Sequence, residues 1–263
     1  MRVCLLASGS SGNCTYVQSN SAEILIDAGL SARQVRERLS NLGLRPDKID
    51  ALLITHEHQD HTSEAGIVSL ALGCPIYTTE RTLAGFSNSL SGHEQIRHFR
   101  IGQEFFIKDL RICPFRVFHD ALDPCGFLVE EKSLFPQYAK RLAIATDLGT
   151  VTDQLKEILK ECDLLIFESN HDLEMLLQGD YPWHLKQRIR SEVGHLSNDA
   201  AGKAIATIAQ HGRLRKVFLA HLSEKNNQPR KALETVKAHL TGLSNQLEVY
   251  VAARDRPSRI IEF

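Results

Sequence analysis

The sequence predicts an α/β protein in which two β-sheets pack face to face with helices on their outer sides. Three observations carry that prediction. Apolar, strand-like runs alternate with amphipathic helical stretches near the start; a β-rich stretch occupies 95–130; and a second strand–helix series follows it. No repeat, low-complexity tract or linker-like segment interrupts the 263 residues, so one domain spanning 1–263 is expected.

Taken in order, "RVCLLA" (2–7), "TYVQS" (15–19) and "EILIDAG" (23–29) read as strands. "SARQVRERLSNLG" reads as a helix with Ser31 as N-cap and Gly43 as its stop, and Val35, Leu39 and Leu42 fall on one face. "IDALLIT" (49–55) is apolar throughout, as a strand buried on both faces must be. Helical "SEAGIVSLALG" (63–73) and strand "PIYTT" (75–79) follow, then "IRHFRI", "EFFI", "LRICPFRVF" and "CGFLVEE". The second series runs "RLAIATD" (141–147), "TDQLKEILKE" (152–161) and "DLLIFES" (163–169), then a polar helical zone. "NDAAGKAIATIAQHG" (198–212), "KVFLAHLS" (216–223), "PRKALETVKAHL" (229–240) and two closing strands, "LEVYVA" and "SRIIEF", complete it.

Composition narrows the function. With 43% hydrophobic and 24% charged residues, the chain can bury a core without covalent staples. Its six cysteines are scattered with no CxxC pair, which predicts reduced thiols. The first apolar run is too short for a signal peptide, and no stretch approaches the ~20 apolar residues of a membrane span. A cytoplasmic protein without membrane attachment is expected. Net charge is −1, so a polyanionic partner has to be met by a local basic patch or by metal ions.

The chemistry is concentrated in "LLITHEHQDHTSEAG" (52–66), where three histidines and an aspartate crowd the exit of a buried strand. In extended chain, residues i and i+2 point the same way, so His56 and His58 can reach one cation together. Asp60 and His61 sit where the chain turns into a helix and can reach a second. Imidazole with carboxylate suits zinc, manganese or iron, and the lack of nearby thiols argues against a structural zinc knuckle. Further ligands must come from other strand ends. His119 (or its neighbour Asp120), Asp147 and His221 each close an apolar run, the place where α/β folds collect function.

These residues resemble the metallo-β-lactamase superfamily, whose signature is HxHxDH followed by His, Asp and His at later strand ends. The resemblance implies a four-layer αββα sandwich and two divalent metal ions, zinc or manganese. His56, His58 and His119 would hold one ion and Asp60, His61 and His221 the other, with Asp147 bridging. "LLASGSSGNC", "FHDALDPCGF", "ESNHD" and "GHLSN" resemble the YycJ-like branch more narrowly. That branch implies a nuclease acting on DNA rather than RNA, as an exonuclease from 5′ ends.

Two cations about 3.5–4 Å apart share a hydroxide near neutral pH and neutralise charge on a scissile phosphate. Asp60 is expected to orient that hydroxide. Glu168 and His195 are similar to the Glu–His pair of tRNA 3′-processing endonucleases, in which the His protonates the leaving group. A carboxylate beside an imidazole raises its pKa and fixes its orientation. The loop "SGSSGN" (8–13) suggests Ser10, Ser11 and Asn13 as phosphate contacts, with Asn170 in the same cleft. Basic clusters at 184–190, 212–216, 229–231 and 254–259 offer a backbone track, and Tyr181 and Trp183 offer stacking surfaces. A hydrolase of small thioesters, lactones or cyclic phosphodiesters is the alternative; it needs the metals but not the basic track.

Overall fold

The computed structural model describes residues 1–243 and 247–263. One sheet takes β1 (Arg2–Ala7), β2 (Cys14–Gln18), β3 (Glu23–Ile26), β4 (Ala51–Leu53), β5 (Ile76–Thr78) and β6 (Ile96–His98) in that order, with β14 (Ile261–Glu262) on the free side of β1. The other is laid out in the same sense: β7 (Phe105–Ile107), β8 (Leu110–Arg116), β9 (Cys125–Glu131), β10 (Lys140–Ala145), β11 (Leu164–Glu168), β12 (Lys216–Ala220) and β13 (Glu248–Val251). Each sheet is antiparallel through its first hairpins and parallel afterwards, from β3 to β6 and from β10 to β13.

Parallel pairs need crossovers, and helices supply them. α1 (Ala32–Asn41), α2 (Gln59–Thr62), α3 (Ala65–Leu72) and α4 (Glu80–Phe86) belong to the first sheet. α5 (Asp153–Leu159), α6 (Leu173–Gln178), α7 (Trp183–Ile189), α8 (Asn198–His211) and α9 (Pro229–His239) belong to the second. Ser31 caps α1 and Gly43 sits just beyond the helix at φ 72°, as the sequence predicted; the structure adds Gln34, which completes a capping box with Ser31. The polar zone after β11 resolves into α6 and α7, too short and too polar to show a clear period.

Three apolar clusters define four layers. Val3 and Leu5 of β1 face Ile112, Phe127, Ile144 and Phe218 between the sheets. Their neighbours Cys4 and Leu6 point the opposite way, beneath Val35 and Leu39 of α1 and Val68 of α3. On the far side Ala143, Leu165 and Leu219 lie under Leu155 of α5, Ile205 of α8 and Val236 of α9. Each such buried side chain contributes on the order of 1.5–3 kcal/mol of transfer free energy. All six cysteines are unpaired and five of them are buried. Among the described residues, no helix is long and apolar enough to cross a membrane. The layers bring the C-terminal ends of β3, β4, β8, β10, β11 and β12 to one rim, where the candidate residues lie.

Candidate metal centre and active site

Backbone contacts assemble the rim before any side chain does. The loop after β3 lies against both the β1–β2 loop and the signature loop. Ala28 N donates to His61 O (2.8 Å), Gly29 N to Asn13 O (2.9 Å), and Asn13 N to Asp60 O (2.8 Å). A Cβ on Gly29 would fall 1.9 Å from Asp60 O, so only glycine permits this approach. Among the described residues four non-glycine ones have positive φ, and three of them, Asp27 (63°), Asp147 (56°) and His221 (55°), sit at this rim. Such backbone costs about 1–3 kcal/mol per residue and persists where its surroundings over-determine it. At His221 the surroundings are explicit: its N–H donates to Ser8 Oγ (2.8 Å) and its carbonyl accepts from Asn170 Nδ2 (2.9 Å).

Among the described residues four overlapping groups result, each with donor atoms within 4.8 Å of one another: His56–His58–His119, Asp60–His61–His221, His56–His61–Asp147, and Asp147–Glu168–His195–His221. The third joins the first two. His119, not Asp120, is the buried member of its pair; Asp120 turns outward and accepts from Arg188 Nε at 2.5 Å. His58 Nδ1 lies 3.3 Å from His119 Nε2.

Outer partners fix the rings. His61 Nδ1 is 2.8 Å from Asp27 Oδ2, and Asp27 Oδ1 in turn accepts from Thr55 N (2.9 Å) and Thr55 Oγ1 (3.0 Å). His119 Nδ1 is 3.1 Å from Val193 O and 3.2 Å from Gly194 O. His221 Nδ1 and His195 Nδ1 are 2.9 and 2.8 Å from the same Glu168 Oε1. An acceptor beside Nδ1 selects the Nδ1–H tautomer, so in the neutral ring Nε2 of His61, His119 and His221 presents a lone pair inward. Glu168 is completely buried, and its Oε2 accepts from Leu148 N (3.0 Å) and Leu196 N (3.1 Å).

Electrostatics follow from this packing. Burial works to raise the Asp60 and Asp147 carboxyls, but the neighbouring His61 and His221 hold both well below the ordinary range. Burial and Asp27 oppose each other at His61, as burial and Asp147 do at His221; the carboxylates win, and both imidazoles are pushed up. Burial lowers His56 and His119. At His195 burial is outweighed by Glu168, and the pKa is raised.

The donor set fits divalent cations. Among the described residues none of the groups includes a cysteine, and nitrogen with carboxylate oxygen suits borderline and hard ions. His56 Nε2 and Asp147 Oδ2 are buried with no hydrogen-bond partner; Asp147 Oδ2 lies 3.2 Å from His61 Nε2 without hydrogen-bond alignment. Buried orphans of this kind call for an explanation, and a shared cation supplies one.

The other expected residues separate. Ser10 and Asn170 line a cleft of about 170 Å³ beside His195 and His221, and Ser11 is exposed outside that lining. Asn13 is buried; its Oδ1 accepts from Gly9 N (2.8 Å) and its Nδ2 lies 3.1 Å from Asp60 Oδ2. Asn13 and Asn170 therefore brace the cluster. Of the basic residues, Lys186 is buried, Arg213 pairs with Asp163, Lys216 with Glu248, and Arg254 with Glu224. Sequence reasoning gave no individual part to Asp27, Thr55 or Ser8, although each lies in a stretch it singled out: Asp27 in "EILIDAG", Thr55 in the 52–66 stretch and Ser8 in the 8–13 loop.

Residues 22–221 match the family described as the Beta-lactamase superfamily domain. Exodeoxyribonuclease WalJ of Streptococcus pneumoniae serotype 2 is 35% identical over 269 residues, covering 98% of this chain and 96% of that protein. Exodeoxyribonuclease YycJ of Bacillus anthracis is 32% identical over 262 residues, covering 97% of each. Among solved structures, the metallo-β-lactamase fold protein YhfI of Bacillus subtilis superposes with a TM-score of 0.73 over 98% of both chains at 17% identity, a likeness of fold. Fold and His/Asp clusters together point to divalent metal binding. The chain belongs to the metallo-β-lactamase superfamily and, within it, to the YycJ-like branch.

Proposed function

We propose that this protein is a metal-dependent exodeoxyribonuclease, a hydrolase that removes nucleotides from DNA ends in the cytoplasm, working as one domain over 1–263. The observation that carries the reading is the pair of donor triads joined through Asp147, beside a buried Glu168 that holds His195 at the edge of a cleft. Near-full-length similarity to two exodeoxyribonucleases supports the substrate class.

His56, His58 and His119 would hold one ion, Asp60, His61 and His221 a second, and Asp147 would touch both; zinc and manganese suit these donors equally. When bound, the ions supply Lewis-acid charge and make a water nucleophilic near neutral pH. Asp60, ionised and only partly exposed, orients the attacking oxygen and accepts its hydrogen bond. Phosphorus gains an oxygen from water and loses its bond to the departing deoxyribose oxygen. His195, protonated and held through Nδ1 by Glu168, delivers a proton from Nε2 to that oxygen.

A digestion panel tests this. Chelator-stripped protein, reloaded with Zn²⁺ or Mn²⁺, meets end-labelled linear DNA, circular DNA, RNA and a chromogenic thioester. Linear DNA should be shortened from 5′ ends while circles survive. Hydrolysis confined to the thioester would refute the nuclease reading.

A further inference from the structure

The cleft beside His195 and His221 has a second wall that the hydrolytic chemistry does not use. Tyr181, Leu185 and Ile189, from α7 and the turn before it, form that wall, and Arg188 stands with them. We propose that this cleft seats one unpaired terminal nucleobase of the DNA strand, stacked on Tyr181 and packed against Leu185 and Ile189. The inference rests on the nuclease reading above and names the form of DNA end the site accepts.

Size limits the occupant. The cleft holds about 170 Å³, well under the roughly 300 Å³ at which sites for drug-sized ligands begin. One flat heterocycle fits; a base pair does not. The walls set the mode of recognition. A nuclease that shortens any sequence must grip a base by its π-face, since edge-reading donors would discriminate among bases. Tyr181 with two aliphatic side chains offers that kind of grip; of the polar lining, the Asn170 amide nitrogen is engaged with His221 O and Arg188 with Asp120, and the Ser10 and Ser223 hydroxyls, each able to donate or accept, select no one base edge. Charge lies beside the wall. Lys225 Nζ lies over the Tyr181 ring, 5.6 Å from its centre, but does not line the cleft, so the base would take the ring face on the cleft side; Arg188, in the lining, is paired with Asp120.

The wall is also pre-set. Lys186 is buried, and its ammonium donates to Leu177 O (2.7 Å) and Gly179 O (2.6 Å), which locks α7 to the end of α6 and fixes the turn that carries Tyr181. A Cβ at Gly179 would meet Met175 O and Asn226 Oδ1, each at 2.8 Å, so that turn is closely packed. A rigid aromatic seat loses little entropy when it is filled. Because a terminal base must leave its partner to enter, matched ends carry an unpairing cost that frayed or mismatched ends avoid.

The test uses metal-loaded full-length protein and single strands whose last nucleotide, at the end where digestion begins, is either intact or abasic. Wild type should favour the intact end by about 5–150-fold, the span expected for one base–aromatic stack, with the difference in KM. That ratio should collapse toward one in Tyr181→Ala and persist in Tyr181→Phe. Blunt duplexes ending in a mismatch should be degraded faster than fully paired ones. Equal rates on intact and abasic ends by wild type would overturn the base seat and leave the nuclease reading standing; this comparison needs no variant. An unchanged ratio in folded Tyr181→Ala would overturn it as well. Failure to degrade any DNA would remove both proposals.

Discussion

Asp27→Asn isolates the part of the centre that the signature motif does not contain. Asp27 sits at φ 63°, a conformation asparagine tolerates better than other residues, so the backbone should be kept. The asparagine oxygen can still accept from Thr55 N, as Asp27 Oδ1 does at 2.9 Å. The new NH₂ then faces His61 Nδ1, which lies 2.8 Å from Asp27 Oδ2. It can hydrogen-bond only if the imidazole moves its proton to Nε2, the atom aimed at Asp60 and Asp147. The tautomer that suits asparagine is the one that cannot bind a cation. Losing such an outer partner typically costs 10–100-fold in metal affinity, or about 1.4–2.8 kcal/mol. The assay is competition for Zn²⁺ or Mn²⁺ against a chromogenic chelator, resolving the tighter and weaker ions. Asp109→Asn is the control: that carboxylate accepts from Ser19 Oγ (2.5 Å) and Ser21 N (3.2 Å), away from the centre. Asp109→Asn should bind metal as wild type does. If Asp27→Asn also binds both ions within twofold of wild type, the tautomer argument is wrong.

Glu168→Gln should lower kcat by roughly 10²–10⁴-fold, the range for losing an effective general acid, because one oxygen anchors both His195 and His221. Its pH profile separates proton delivery from simple disorder. Glu168 raises the pKa of His195, so the acid form persists to higher pH in wild type, and the alkaline limb of kcat should move to lower pH in the variant. Metal binding near pH 7 should release protons, since carboxylate neighbours push His61 and His221 up and both must deprotonate to ligate. Calorimetric titration in buffers of different ionisation enthalpy measures this, and affinity should strengthen as pH rises through those raised values. Lys186→Met should cost about 1–3 kcal/mol by leaving the Leu177 and Gly179 carbonyls without their buried donor. A melting-temperature loss of several degrees should report it, whereas exposed Arg190→Ala should change little.

The legible parts of the site share one property: their signal is local. His56, His58, Asp60 and His61 lie within one turn, and His119, Asp147, Glu168 and His221 each interrupt or end an apolar run that already marked a strand. The illegible parts depend on which strands are neighbours. Asp27 matters because β3 pairs with β4 and its loop lies under His61, a contact 34 residues away in sequence. Asn13 and Asn170 look like loop amides free to meet a substrate, yet the amide nitrogen of each is engaged within the cluster, Asn13 with Asp60 and Asn170 with the His221 carbonyl, and of the two Asn170 lines the cleft. Lys186 looks like one cation in a basic run; burial against the end of α6 is visible only once α6 and α7 pack together. Between His119 and Asp120 the strand pattern alone does not choose. The inward position of one ring and the Arg188 partner of the other carboxylate separate them.

Anomalous scattering from crystals grown with Mn²⁺ or Zn²⁺, recorded at the metal edge, bears most directly on the claim that this rim is a two-ion centre. Two peaks are predicted, one within about 2.0–2.2 Å of donors on His56, His58 and His119 and one equally near Asp60, His61 and His221, with Asp147 touching both. A single peak held by the Asp147–Glu168–His195–His221 group would contradict the account. Glu168 and His195 would then be ligands, and no residue would be left to protonate the departing oxygen.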